Sequence, residues 1–228
     1  MENSDIYIFR VTPYRESSIL YDAVVKEYGK ITFIHKGIKS NKRKNALQLF
    51  CSYNINWSGK SNIKFLRNIE SINPIKNFKD NHKIIGMYYN EIMFYLTKND
   101  YKIDKLYNHY DDCLRKLADS KYNYLIDLNI FEIGLLILTG HYIFFDHDLN
   151  GNLIKEDKRY AYIPEQGPKL EIDYKETYSG STLMALSGQI EYDLETLKES
   201  RVFMRRLIDY YIQPKKIKTR EILEYIML

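Results

Sequence analysis

Only two cysteines occur in the 228 residues, Cys51 and Cys113, far apart and in no metal-ligand or redox spacing. This predicts two buried thiols in a reducing compartment rather than a disulfide framework. Long apolar runs are missing too. The longest, residues 130–138, is interrupted by Glu132 and falls short of the roughly 18–20 residues of a membrane span. The amino terminus, MENSDIYIFR, lacks the basic segment and apolar stretch of a secretory signal, so the cytoplasm is the expected location. Catalytic signatures are equally scarce. Gly59-Lys60-Ser61 resembles the end of a phosphate-binding loop, but Asn54 stands where that loop needs glycine, and the segment joins two expected strands instead of opening a helix. His141, Asp146, His147 and Asp148 form the best metal-like cluster, yet neighbours on one loop rarely converge on one ion. No serine or cysteine sits in a nucleophile elbow, and no carboxylate pair stands apart. Neither enzymatic activity, nor a metal, nor any other cofactor is expected.

What is present is a core and an uneven charge. Apolar and aromatic residues make up 45% of the chain and charged residues 28%, enough for a folded interior without wholesale disorder. The net charge is only +4, but residues 1–78 hold 13 Lys/Arg against 6 Asp/Glu, and residues 79–200 hold 14 against 21. Residues 201–220 return to 7 against 1. Two basic ends around an acidic middle suit a polyanionic partner at the ends.

The first seventy residues read as β structure. Residues 6–11, 19–26 and 31–35 are rich in β-branched and aromatic side chains, separated by Pro13-Tyr14 and Gly29-Lys30. Residues 49–57 have apolar side chains at every odd position, so one face of that strand should be buried. Gly59-Lys60 is a turn signal, and Ile63, Phe65 and Ile69 suggest a fifth strand. Five short strands in this length fit an OB-fold barrel, with SH3-like barrels as the alternative. After Pro74 the period becomes helical: residues 84–96, 104–117 and 124–142 are expected helices, the last apolar nearly all round and therefore central. Residues 148–169 read as loop with a short strand at 160–163, and Gly167-Pro168 as a turn. Asp193 should cap a helix that runs to about residue 212 and stops at Pro214, and a last helix covers 219–227. The expected class is α+β, with an OB-fold nucleic-acid-binding domain at 1–76 and a helical domain at 77–228 carrying a short β insertion near 148–175.

The strongest local signal is the loop of Lys36, Lys39, Lys42, Arg43 and Lys44, five cations within nine residues. Such a loop can neutralise several phosphates and release their counterions, which gives affinity without sequence preference. Arg15, Lys30, Lys64 and Arg67 extend the candidate patch. Of Tyr7, Phe9, Tyr14, Tyr21, Phe33 and Trp57 in the same strands, most belong in the core, and one or two could stack on bases. Lys215, Lys216, Lys218 and Arg220, with Arg205 and Arg206 before them, form a second basic cluster suited to DNA, to an acidic protein or to helix carbonyls.

Several segments resemble, in order, those of the bacterial RecO family. These are Thr12-Pro13-Tyr14-Arg15-Glu16-Ser17-Ser18, Tyr28-Gly29-Lys30-Ile31, Lys36-Gly37-Ile38-Lys39-Ser40 and Ala46-Leu47-Gln48-Leu49-Phe50. Leu66-Arg67-Asn68-Ile69-Glu70, Tyr89-Asn90-Glu91, Phe131-Glu132 followed by Leu135-Leu136, and Lys216-Ile217-Lys218-Thr219-Arg220-Glu221 continue the match to the end. The resemblance implies binding of single- and double-stranded DNA, annealing of complementary strands, and partnership with RecR and the single-stranded-DNA-binding protein SSB in loading RecA. It also implies association with the nucleoid when DNA is bound.

Two features depart from the family pattern. Many relatives carry four zinc-binding cysteines after the central helix, whereas residues 140–189 contain none; the chain resembles the zinc-free branch, with Tyr160-Ala161-Tyr162 in the corresponding segment. An arginine often precedes the family's Phe-Glu, where Asn129-Ile130 stand here. For the acidic, apolar-tipped SSB tail, the expected cations are therefore Arg115, Lys116 and Lys121, beside a groove between the helices ending near residue 117 and starting near residue 124. The competing readings are an OB-type module acting on RNA and a hydrolase using the His141–Asp148 cluster.

Overall fold

The computed structural model describes residues 2–37, 47–74, 78, 80–119, 123–171 and 176–227. It divides into two compact units, Met1–Tyr122 with Ile217–Leu228, and Asn123–Lys216. The expected boundary near residue 76 falls inside the first of these.

Five strands build the first unit: β1 (Glu2–Tyr14), β2 (Ser18–Val25), β3 (Gly29–Lys36), β4 (Cys51–Ser58) and β5 (Ile63–Pro74). They close into a barrel in the order β1-β2-β3-β5-β4, with β3 and β5 parallel and β1 paired back onto β4. This is the strand arrangement of an OB-type barrel, as the strand count suggested. Cys51, Tyr53, Ile55 and Trp57 of β4 point inward against Ile6, Ile8, Tyr21, Phe33 and Leu66, which is the alternation visible in the sequence. Leu49 and Phe50 lie in a turn before β4 instead of in the strand, with Phe50 at φ 63°.

Register shifts interrupt β1 once and the β4–β5 pairing twice, and two of them decide which side chains face out. In β1, Ile8 opposes Ala23 and Arg10 opposes Asp22, so Phe9 is the extra residue. In β5, Ile69 opposes Ile55 but Leu66 opposes Trp57, so three steps on one strand match two on the other. A bulge shifts the inward parity by one residue. Leu66 is therefore buried, while Ile63 and Phe65, which suggested this strand, are 37% and 36% exposed.

Three helices complete this unit: α1 (Asp80–Leu96), α2 (Leu106–Ala118) and, from the other end of the chain, α6 (Thr219–Met227). The α1–α2 connection runs against β3, where a Cβ on Gly29 would lie 2.4 Å from the Tyr101 carbonyl oxygen. Gly29 also has φ +83°, so glycine answers both demands. The carboxylate of Glu91 on α1 accepts from the backbone N–H groups of Lys218 and Thr219, each at 2.9 Å, and from the Thr219 hydroxyl at 2.8 Å. It thereby satisfies donors at the start of α6 that have no partner within the helix.

The second unit holds α3 (Tyr124–Leu138), β6 (Arg159–Ile163), β7 (Gly167–Leu170), β8 (Tyr178–Ser179), α4 (Gly180–Leu186) and α5 (Leu194–Ile212). Phe203 of α5 packs edge-on against Tyr162 and Tyr178 at ring-centroid distances of 4.9 and 4.8 Å, tying the small sheet to the helix. Asp193 caps α5 in a reciprocal pairing with Thr196, as its position suggested. Gly167-Pro168, read as a turn, instead opens β7.

Helix α3 corrects the expectation of a segment buried all round. Ile130 and Ile137 are 40% and 54% exposed, while the buried side includes Asn129 and Glu132. Those polar groups are answered: Arg201 of α5 donates to both Glu132 carboxylate oxygens at 2.7 and 3.1 Å and to Asn129 Oδ1 at 2.7 Å. The helix also ends four residues early, at Thr139 and Gly140 (φ +89°), leaving Tyr142 outside it.

Candidate nucleic-acid interface

The outer wall of β1, β2 and β3 has two halves. Over residues 7–10, 22–24 and 30–32 it is largely buried. Tyr7 donates to Asp111 of α2 at 2.5 Å and packs on Tyr107 and Tyr110. Lys30, only 6% exposed, donates to the carbonyls of Phe94 and Thr97 at 3.2 and 3.5 Å. Its ammonium lies 4.2 Å from the Phe94 ring centroid, and the Arg10 guanidinium lies 3.9 Å from the same centroid. Burial pushes the Lys30 pKa down, partly offset by the carboxylate of Asp22. Thr32 donates to Asp22 at 2.6 Å and accepts from Asn99 at 2.8 Å. Lys30 is therefore a buried anchor and does not belong to a phosphate-binding patch.

The other half is open. Register places Tyr14, Ser18 and Lys36 in one row across three strands, beside Thr12, Leu20 and Ile34, with Phe65 next to Ile34 on β5. Because of the bulge at Phe9, Arg10, Thr12 and Tyr14 share the outward face. The Arg15 guanidinium sits 5.1 Å from the Tyr14 ring, and the Lys36 ammonium 4.8 Å from the Phe65 ring. Arg15 holds φ 53° in the turn between β1 and β2, a conformation that costs a non-glycine residue about 1–2 kcal/mol. Tyr14 is half-buried and Phe65 exposed, whereas Tyr7, Phe9, Tyr21, Phe33 and Trp57 are all buried. Phe65 escaped the sequence reading because only the bulge in β5 turns it outward.

The remaining cations divide. Arg67 is exposed and donates to the Ser58 hydroxyl at 3.1 Å. Lys64 is drawn to Asp100 at 3.1 Å and to the Ser61 carbonyl at 2.8 Å. Lys39, Lys42, Arg43 and Lys44 lie outside the described residues, as does Lys121. Lys215 is exposed in the second unit; Lys218 is exposed at the start of α6, and Arg220 lies 5.8 Å from the Tyr88 ring. On α2, Arg115 Nε contacts both oxygens of Asp111 at 2.9 Å, and Lys116 is exposed. Helix α2 belongs to the first unit and α3 to the second. In the His141–Asp148 segment, His141 pairs with Glu165 at 3.0 Å, and the Asp148 carboxylate accepts from the N–H groups of Asn150 and Asn152. Those backbone donors hold its pKa below the usual carboxylate value. No cluster that could hold a metal occurs among the described residues.

Residues 1–75, which contain the whole barrel, match the family model for the recombination protein O N terminal region. Over nearly the full chain, the sequence is 29% identical to the DNA repair protein RecO of Coxiella burnetii, covering 95% of both chains. It is 27% identical to the RecO protein of Dechloromonas aromatica, covering 97% of this chain and 95% of that one. The chain is similar to RecO proteins over nearly its whole length. The RecO protein of Polynucleobacter necessarius is likewise 29% identical, with 95% and 93% covered. The family-like segments fall on the structural features above: Thr12–Ser18 spans the Arg15 turn, Leu66–Glu70 the bulged part of β5, and Tyr89-Asn90-Glu91 the part of α1 that caps α6. No helix among the described residues is long and apolar enough to cross a membrane.

Proposed function

We propose that this protein is a non-catalytic mediator of recombinational DNA repair that binds single- and double-stranded DNA on the open half of its barrel wall. The observation that carries this reading is the pair of cation–aromatic contacts, Arg15 on Tyr14 and Lys36 on Phe65, on one open face. Aromatic rings beside cations suit single strands, because every base has a face to stack and every nucleotide a phosphate to pair. Two strand spacings separate Tyr14 from Lys36, about 10 Å, so one short stretch of nucleic acid can reach both. Lys39, Lys42, Arg43 and Lys44, which follow Lys36 in the sequence, would add phosphate contacts.

The family resemblance extends the reading to annealing of complementary strands and, with RecR, to RecA loading on SSB-coated DNA. For the SSB tail, Lys116 is a better candidate cation than Arg115, whose guanidinium is held by Asp111; Lys121 remains a candidate by sequence. Lys215, Lys218 and Arg220 would give DNA a secondary contact. Annealing of complementary oligonucleotides coated with SSB tests the whole reading. Acceleration that depends on this protein is the expected result. Equal binding to RNA and DNA, with no annealing of coated strands, would favour an RNA-binding module instead.

A further inference from the structure

A groove of about 410 Å³ lies within the first unit, between β1, α1 and the start of α6. It forms where β1 leaves β4: their pairing ends at Tyr7 and Ser52, and beyond it β1 continues alongside β2. Val11, Leu49, Met87 and Tyr95 give the groove flat apolar walls. Arg10, with its side chain 45% exposed, lies over Phe94 at one side, and Lys218 stands at the rim. The carboxylate among the lining residues, Glu91, is committed to the N–H groups of Lys218 and Thr219. Asp22, 3.9 Å from Arg10, also accepts from Thr32. The charge left for a ligand is positive.

Asn90 supplies a second, independent observation. It lines the groove and is 6% exposed; its Oδ1 accepts from the Tyr110 hydroxyl at 2.5 Å, and its Nδ2 has no partner among the described residues. A buried amide donor without an acceptor is costly, and this one is closed to solvent, so a ligand that brings an acceptor reaches it once the side chain turns toward the groove.

We infer that this groove receives one unstacked base of a single DNA strand, its edge accepting from Asn90 Nδ2 and its phosphate facing Arg10 and Lys218. This rests on the reading of the barrel face as a DNA interface. A flat, apolar body with acceptor atoms on its edge and an attached anion matches walls, donor and charge together. Arg10 is on the same strand and face as Thr12 and Tyr14, about 13 Å from Tyr14 along the strand, so one strand of DNA passes from the open wall into the groove. A guanidinium laid on an aromatic ring also offers its other side for a base to stack upon.

The test uses the full chain, a fluorescent single-stranded oligonucleotide, its abasic counterpart and a 5-iodouracil version for photocrosslinking. Met87 is 44% exposed at the rim, so Met87→Trp should fill the groove without disturbing the core, and Met87→Glu repeats the test by charge if the larger ring unsettles the fold. The expected result is affinity for the intact strand reduced about tenfold, equivalent to one lost stacking contact. Affinity for the abasic strand should not change, and crosslinks should fall within residues 87–95. Unchanged affinity in both variants, with crosslinks confined to residues 12–20 and 63–67, overturns the groove and leaves the barrel-face reading standing. No binding of single strands by the unaltered protein overturns both. Binding of an acidic, apolar peptide that Met87→Glu abolishes, while single-strand affinity is unaffected, assigns the groove to a protein partner and also overturns the proposal.

Discussion

The two halves of the barrel wall contain similar residue types and use them oppositely. On the covered half, Lys30 lies over Phe94 and is engaged by the carbonyls of Phe94 and Thr97. On the open half, Arg15 and Lys36 also lie over rings, but both remain exposed. A cation counted in the sequence is thus not a cation offered to a ligand. What decides is whether a helix reaches the wall, and here α1, its following connection and α2 cover the part around Tyr7 and Lys30.

The contrast can be pressed first on the open side. Replacing Lys39, Lys42, Arg43 and Lys44 together with alanine should lower the log–log salt slope of single-strand binding by as much as about 3 units. Titration across a salt series reads this directly, and an unchanged slope in a folded variant removes the loop from the interface. Tyr14→Ala and Phe65→Ala should each weaken single-strand binding by about 1–3 kcal/mol, with unchanged melting temperature; anisotropy and thermal unfolding check the two halves of that statement. On the covered side, Lys30→Met should leave the salt slope alone and lower stability by about 1–3 kcal/mol, because two carbonyls lose their donor. Urea denaturation measures it, and a changed salt slope would erase the distinction between the halves.

The smallest effect concerns His35, on β3 beside the open rim. Its Nδ1 has no partner among the described residues, and burial holds its pKa below the ordinary 6.5. The unfolded chain therefore takes up a proton at a higher pH than the folded one. Stability from this group is complete above pH 6.5 and declines as the pH falls below it towards the folded value. His35→Phe should flatten that part of the melting-temperature profile, and an identical profile would show that other groups govern it.

Much of this fold was legible because its periods are plain. Strict alternation in Cys51, Tyr53, Ile55 and Trp57 marked the inward face of β4, and Asp193 marked the start of α5. What the sequence hid were one-residue events and distant partners. No local pattern says that β5 gains a residue between Leu66 and Ile69, yet that insertion turns Phe65 outward and makes it a stacking candidate. The seven-residue α4 is too short for a helical period to emerge. Nothing near Asn129 or Glu132 announces that Arg201, some seventy positions on, will satisfy them, and so α3 read as greasier than it is. Of the candidate site, charge density alone pointed to the loop after Lys36; separating Lys30 from Lys36 required knowing what lies above each.

The bond between Glu91 and the start of α6 has a bearing on the order of events at the ribosome. All five barrel strands and both flanking helices emerge before residue 123, but the piece that Glu91 holds is made only after Asn123–Lys216. At roughly 5–20 residues per second, the intervening segment delays it by about 5–20 s. During that interval Glu91 lacks the N–H groups it holds in the finished fold, and a ribosome halted before residue 217 releases a chain whose first unit has no α6.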